Sequence, residues 1–316
     1  MTGSRRVAAL DCGTNSLRLL VADVDPAAGT LVELDRRTEI VRLGQDVDRT
    51  RRLAPEALER TLATCRSYAA VIDELGATAV RLVATSATRD ATNRDEFAAG
   101  VRAALGVDPE VVTGDEEAAL AYAGATRELA ARPDIAQPDI AQPYLVVDLG
   151  GGSTELVRAT DGGVTGVSVD VGSVRLTERH FAADPPTEEQ VLAATRDVDA
   201  ALALAGETVP LDGVGTLVGL AGSITTIGAV ALELTEYDRD RVHHCRLSAD
   251  RVHEIAANLL RMSHDQRAAM RVIHPGRVDV IAAGALVLDR TVRRTAVTEV
   301  LVSEHDILDG IAWSIA

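Results

Sequence analysis

One short pattern occurs twice in this chain, and it constrains the fold more than any other feature. The first copy is Asp11-Cys12-Gly13-Thr14-Asn15-Ser16; the second, 137 residues on, is Asp148-Leu149-Gly150-Gly151-Gly152-Ser153. Each follows an apolar run (7–10; 145–147) and precedes another (17–24; 154–157). The reading is strand, tight glycine turn, strand, made twice. A turn of Gly and small polar residues can aim several backbone N–H groups at one anion, with Thr and Ser hydroxyls assisting. The Asp that ends each first strand can hold a cation or a water beside that anion. Two such turns, one per half, imply a phosphate site gripped from both sides.

The halves also repeat in their coarse pattern. In the first, strands are expected near 7–11, 17–24 and 31–42, then a helix over 55–74 with Pro55 in its first turn. A strand at 80–85, a helix at 93–105, a strand at 109–113 and a helix over 115–131 follow. Asn93 with Glu96 resembles a capping box, and Asp115 is a candidate N-cap. The second half gives strands near 144–149, 154–159 and 163–171, and helices near 174–181 and 187–205, the latter opened by Thr187 and Gln190. A strand at 216–220 and helices near 223–232, 248–262, 264–271 and 278–295 lead to a strand at 299–302 and a last helix over 304–315. Both halves read strand, strand, strand, helix, strand, helix, strand, helix, with extra helices in the second. Between them Pro133-Asp134-Ile135-Ala136-Gln137 is repeated at once as Pro138-Asp139-Ile140-Ala141-Gln142, the mark of a tolerated expansion in an exposed linker.

Composition narrows the function. The net charge of −16 argues against a general nucleic-acid binder. All 32 basic residues are Arg, so there is neither a Walker-type P-loop Lys nor a Schiff-base Lys. Phosphate recognition must then use backbone N–H groups and Arg forks. No apolar run is long enough for a membrane span, and the N-terminus carries no signal-peptide pattern. Three scattered cysteines (Cys12, Cys65, Cys245) argue for the cytoplasm rather than a disulfide framework.

Several residues are candidates for the chemistry. Arg89 follows a strand, where ligands collect in open α/β sheets. Glu116 and Glu117 open a helix, where carboxylates also serve simply to oppose the macrodipole. Asp11, Asp148 and Glu155 lie on the two glycine turns and suit a divalent cation; a solvent-facing strand position is the plainer reading of Glu155. Arg18, Arg175 and Arg277 are further candidates for an anion-lined path.

Paired phosphate-binding hairpins in duplicated halves are similar to the actin, Hsp70 and sugar-kinase superfamily. Within it the chain resembles the exopolyphosphatase / guanosine pentaphosphate phosphatase family. The segments that carry the resemblance are 11–19, 84–93 (Ala-Thr-Ser-Ala-Thr-Arg-Asp-Ala-Thr-Asn), 114–118 (Gly-Asp-Glu-Glu-Ala), 148–155, 172–178 (Gly-Ser-Val-Arg-Leu-Thr-Glu) and 274–279 (His-Pro-Gly-Arg-Val-Asp). They span nearly the whole chain in order, and the chain resembles the short two-domain form.

The resemblance implies an α/β fold of two ribonuclease-H-like lobes with an interlobe cleft. The expected division is 1–125 and 126–316, with a linker at about 131–143 and the last helix a candidate to pack back on the first lobe. It implies Glu117 as the base that activates water, with Glu116 left as a cap-region residue. Gly13, Thr14, Asn15, Ser16, Arg89, Gly150, Gly151, Gly152 and Ser153 would bind substrate phosphate, with Arg18, Arg175 and Arg277 behind them. Mg²⁺ or another divalent cation would sit on Asp11, Asp148 and Glu155. The implied activity is release of terminal orthophosphate from inorganic polyphosphate. The rivals are a guanosine pentaphosphate 5′-phosphatase, a sensor that binds polyphosphate or nucleotide without turnover, and a small-molecule kinase. Expected partners are polyphosphate and guanosine pentaphosphate, with neither nucleic acid nor membrane; a homodimer is a candidate assembly.

Overall fold

The protein is described by a computed structural model covering residues 3–131, 142–160 and 163–316. In chain order it forms β1 (Arg5–Cys12), β2 (Ser16–Asp25), β3 (Thr30–Ile40), α1 (Val47–Thr50), α2 (Pro55–Leu75), β4 (Ala79–Ala84), α3 (Ser86–Asp90), α4 (Arg94–Leu105), β5 (Glu110–Val111) and α5 (Gly114–Ala131). Then come β6 (Tyr144–Leu149), β7 (Thr154–Thr160), β8 (Gly163–Val169), α6 (Ser173–His180), α7 (Glu188–Thr208), β9 (Thr216–Leu220), α8 (Ala221–Ala231) and α9 (Arg239–Val242). The chain closes with β10 (Arg246–Ser248), α10 (Ala249–Arg261), α11 (His264–Ala268), α12 (Ile281–Thr295), β11 (Glu299–Val302) and α13 (Ile307–Ser314). The described chain divides into two compact units, residues 3–131 with 306–316, and residues 142–305. All of the duplicated linker except Gln142 lies outside the described residues.

The first unit holds one sheet in the order β3-β2-β1-β4-β5 and the second a sheet in the order β10-β11-β9-β6-β7-β8. Strand for strand, β8-β7-β6-β9-β11 repeats β3-β2-β1-β4-β5. The first three strands of each set are antiparallel and the next two run parallel to the central one. These are the two ribonuclease-H-like lobes expected from the family resemblance; β10 is an added antiparallel edge strand in the second. The central strands are buried along almost their whole length, which is why 7–10 and 145–147 read as unbroken apolar runs rather than alternating ones. The edge strand β3 is largely exposed and carries Glu33, Asp35, Arg37 and Glu39, the charges that discourage strand-to-strand aggregation.

Helix α2 starts on Pro55 as expected, and α7 has the full capping box of Thr187 and Gln190. Two expected caps are different. Asn93 precedes α4 but makes no cap hydrogen bond. Its buried amide instead takes the Leu53 N–H (2.8 Å) and donates to the Leu53 carbonyl (3.1 Å), tying two loops together. Helix α5 begins at Gly114, one residue before Asp115, and the Thr113 hydroxyl caps it by accepting the Glu116 N–H (3.2 Å).

Helices α5 and α13 pack closely in the first unit. A Cβ on Gly124 would overlap the Asp306 carbonyl, and one on Gly310 would overlap the Leu120 carbonyl. Only hydrogen at these two positions lets the backbones approach this far, so α13 fixes the course of α5 and of what α5 carries at its start.

Candidate active site

Both glycine turns are built the same way. In the first, the Gly13 N–H donates to the Ser16 carbonyl (3.0 Å); in the second, the Gly150 N–H donates to the Ser153 carbonyl (3.0 Å). The outer carbonyls are also held. Thr14 C=O takes the Gly44 N–H (2.8 Å), and Asn15 C=O takes those of Val41 and Arg42 (3.0 and 2.9 Å). In the second unit the start of α6 does this work: Gly150 C=O accepts from Ser173 (3.0 Å), and Gly151 C=O from Val174 and Arg175 (2.8 and 3.0 Å). A trans peptide points its C=O and the following N–H in opposite directions. With these carbonyls turned into the scaffold, the N–H groups of Asn15, Ser16, Gly151 and Gly152 are turned the other way, as an anion cradle requires. Gly172 makes the second turn's support workable, because a Cβ there would come within 2.6 Å of the Gly151 carbonyl carbon and oxygen.

The cross-strand partners of the two aspartates differ. Asp11 lies opposite Arg18 on β2, and Asp148 lies opposite Glu155 on β7. Asp11 receives two hydrogen bonds on Oδ2, from Arg18 Nε (2.9 Å) and Nη2 (2.7 Å). Burial pushes the Asp11 carboxyl up, and Arg18 works against that shift. In the second unit two carboxylates stand side by side, Asp148 6% and Glu155 1% exposed, so Glu155 is not the solvent-facing residue that a bare strand position allows. Ser168 Oγ donates to Glu155 Oε1 (2.7 Å). Directly opposed like charges are unfavourable, and a pair of buried oxygen donors matches a hard divalent cation. The residues present therefore fit Mg²⁺ at Asp148 and Glu155.

Glu117 projects from the first turn of α5 and is 6% exposed. Arg89 Nη1, from the last turn of α3, donates to Glu117 Oε2 (3.1 Å) and to the Val112 carbonyl (3.0 Å). The Thr85 hydroxyl also donates to Glu117. Burial pushes the Glu117 carboxyl up to about 7, aided by the nearby charge of Asp11 and opposed by Arg89 and Thr85. Glu116, one residue earlier, faces outward and pairs with Arg81 (2.8 Å). The first unit thus brings together Asp11, Arg18, Arg89, Glu117 and the 13–16 turn. The second brings together Asp148, Glu155, the 150–153 turn and Arg175, which is 6% exposed at the start of α6. Arg277 lies farther along the same unit, its guanidinium against Gly222 at the start of α8 and Nη1 3.5 Å from Thr226 Oγ1.

Residues 20–316 match the profile of the Ppx/GppA phosphatase family. The chain belongs to that family. Among Ppx/GppA proteins it is 47% identical over 322 residues to Exopolyphosphatase 2 of Mycobacterium tuberculosis (strain ATCC 25618 / H37Rv), covering 98% of each chain. A crystal structure of an exopolyphosphatase-like protein superimposes with a TM-score of 0.93 at 44% identity, covering 98% of this chain and 97% of the other. The Aquifex aeolicus PPX-GPPA enzyme gives 0.80 at 32% identity, covering 98% and 99%.

Three contributors escaped the sequence reading. Thr85 binds Glu117, and Ser86 meets Thr14 through their hydroxyls (3.0 Å). Both lie in the 84–93 segment beside Arg89, so position relative to Arg89 was the available signal. Asp306, which receives the other arm of Arg18, had none, being 288 residues away.

Proposed function

We propose that the protein is an exopolyphosphatase that releases terminal orthophosphate from inorganic polyphosphate by direct attack of water. The observation that carries this reading is Glu117, a buried carboxylate raised to about 7 beside Asp11 and Arg89. A general base works best with a pKa near the working pH, and burial has moved this one there. It also favours turnover over a sensor that only binds. The M. tuberculosis relative at 47% identity is named for the same activity.

In this reading Glu117 accepts the proton of the attacking water while Arg89 Nη1 and the Thr85 hydroxyl hold the carboxylate in place, and Arg89 also keeps its proposed role as a phosphate ligand. The N–H groups of the 13–16 and 150–153 turns, with the Thr14 and Ser153 hydroxyls, bind phosphate oxygens, and Arg18, Arg175 and Arg277 supply positive charge for the chain. Asp148 and Glu155 would hold Mg²⁺, which would supply positive charge to offset that of the phosphates; Asp11 is the proposed ligand from the first unit. Among the described residues no helix is long and apolar enough to cross a membrane, and the cytoplasm is the compartment this reading assigns.

These residues make three expectations testable. Chelation by excess EDTA should abolish orthophosphate release from polyphosphate, and added Mg²⁺ should restore it; full activity in EDTA would remove Asp148 and Glu155 from a metal role. The pH profile is set by the base. Glu117 must be ionised, so kcat/KM should fall tenfold per pH unit below about 7 and level off above it. The sign for stability is opposite. A carboxyl whose folded pKa is raised stabilises the fold fully below its unfolded value of about 4.5, and that contribution is lost as pH rises through about 7. Glu117→Gln cannot ionise, so its Tm should decline less than wild type between about pH 4.5 and 7, the window of this shift. Superimposable Tm curves would contradict the shift.

A further inference from the structure

Arg18 serves two carboxylates at once. Nε and Nη2 both reach Oδ2 of Asp11 (2.9 and 2.7 Å), and Nη1 pairs with Oδ2 of Asp306. Asp306 is itself fixed from three sides. It is 4% exposed, its Oδ1 accepts the Leu308 N–H (2.9 Å) as N-cap of α13, and its own N–H donates to Asp309 Oδ2 (3.0 Å). Asp309 in turn is held by Arg36 Nη1 and Nη2 (3.3 and 2.5 Å). Gly124 on α5, the helix that carries Glu117, lies directly against the Asp306 backbone. A rigid, buried carboxylate therefore grips one arm of the Arg18 fork. The geometry that results puts Nε and Nη2 of Arg18 on a single oxygen of Asp11, so that among the described residues the side-chain hydrogen bonds to Asp11 fall on Oδ2 and none falls on Oδ1.

We infer that Asp306 is a positioning residue for the reaction: it sets the Arg18 guanidinium so that Arg18 orients Asp11 through Oδ2 alone and leaves Oδ1 for the reacting groups. This rests on the proposed phosphohydrolase site, to which it adds a residue from the far end of the chain. Without the Asp306 charge, Arg18 can rotate to a symmetric two-oxygen grip on Asp11, which planar forks favour. Both Asp11 oxygens would then be occupied.

Asp306→Asn is the informative variant, because Asn is as good an N-cap as Asp and preserves the acceptor for the Leu308 N–H. Steady-state orthophosphate release from polyphosphate at saturating Mg²⁺ should show kcat reduced about tenfold or more, KM changed less than about threefold, and Tm within about 3 °C of wild type, while Asp306→Glu, which retains the charge, should recover part of kcat. The decisive measurement is the double-mutant cycle with Arg18→Gln. If Asp306 acts through Arg18, adding Asp306→Asn to Arg18→Gln changes kcat little further. A merely structural cap gives kcat losses that multiply in the double variant or that track loss of Tm, and either result overturns the inference. Wild-type activity with Asp306→Asn equally active overturns it alone. An inactive wild type overturns the phosphohydrolase reading and this inference with it.

Discussion

Glu117→Gln is expected to lower kcat for orthophosphate release by ~10²–10⁴, the usual worth of a general base, while leaving polyphosphate binding and the fold intact. The side chain is nearly isosteric, and its carbonyl oxygen can still accept from Arg89 Nη1, which sits 3.1 Å from Oε2 and is separately anchored on the Val112 carbonyl. What is lost is the ability to take a proton. The acid limb of the pH profile should vanish with it, since among the described residues of the first unit no other group combines burial, a carboxyl raised to about 7 and proximity to Asp11. Turnover within threefold of wild type (roughly 0.6 kcal/mol of barrier) would take Glu117 out of the mechanism.

The second large effect is on stability. Gly310→Ala should destabilise the protein by about 3 kcal/mol, the upper end for overpacking, because the new Cβ meets a backbone carbonyl, Leu120 C=O, that cannot swing aside. For a chain of this size that is a loss of roughly 4–5 °C in Tm. Activity should fall as well. Displacing α13 from α5 disturbs the Asp306 cap, Arg18 and the first turn of α5 together. Thermal denaturation of the variant beside wild type checks this, and a Tm within one degree would show that the two helices can separate at little cost.

The extent to which the sequence was legible follows the range of the interactions involved. The two glycine turns were readable because each is local: an apolar strand, four turn residues and a return strand, all within about twenty positions of one another. The repeated succession of strands and helices in the two halves was readable for the same reason, whereas the sheet order β3-β2-β1-β4-β5 came only from the structure. Short elements such as α1, α3, α9 and β10 carry too few residues to show a period, and they were missed. The caps at Asn93 and Asp115 failed for a different reason. A side chain with the right propensity for a cap found a better use in tertiary structure at Asn93, and Thr113 stood nearer the helix start than Asp115. Arg18 could be seen as a cation near the first turn but not as a bridge, because Asp306 approaches from the other end of the sequence. Gly124 and Gly310 gave no signal at all, since close approach of two helices leaves no mark on either helix alone.

The direct test of the whole account is orthophosphate release by the wild-type protein, measured side by side on short polyphosphate, long polyphosphate and guanosine pentaphosphate in the presence of Mg²⁺, with Glu117→Gln as the control. The account predicts release from polyphosphate that exceeds release from guanosine pentaphosphate and is lost in the control. Turnover of guanosine pentaphosphate alone, or release from polyphosphate that Glu117→Gln leaves unchanged, would contradict it.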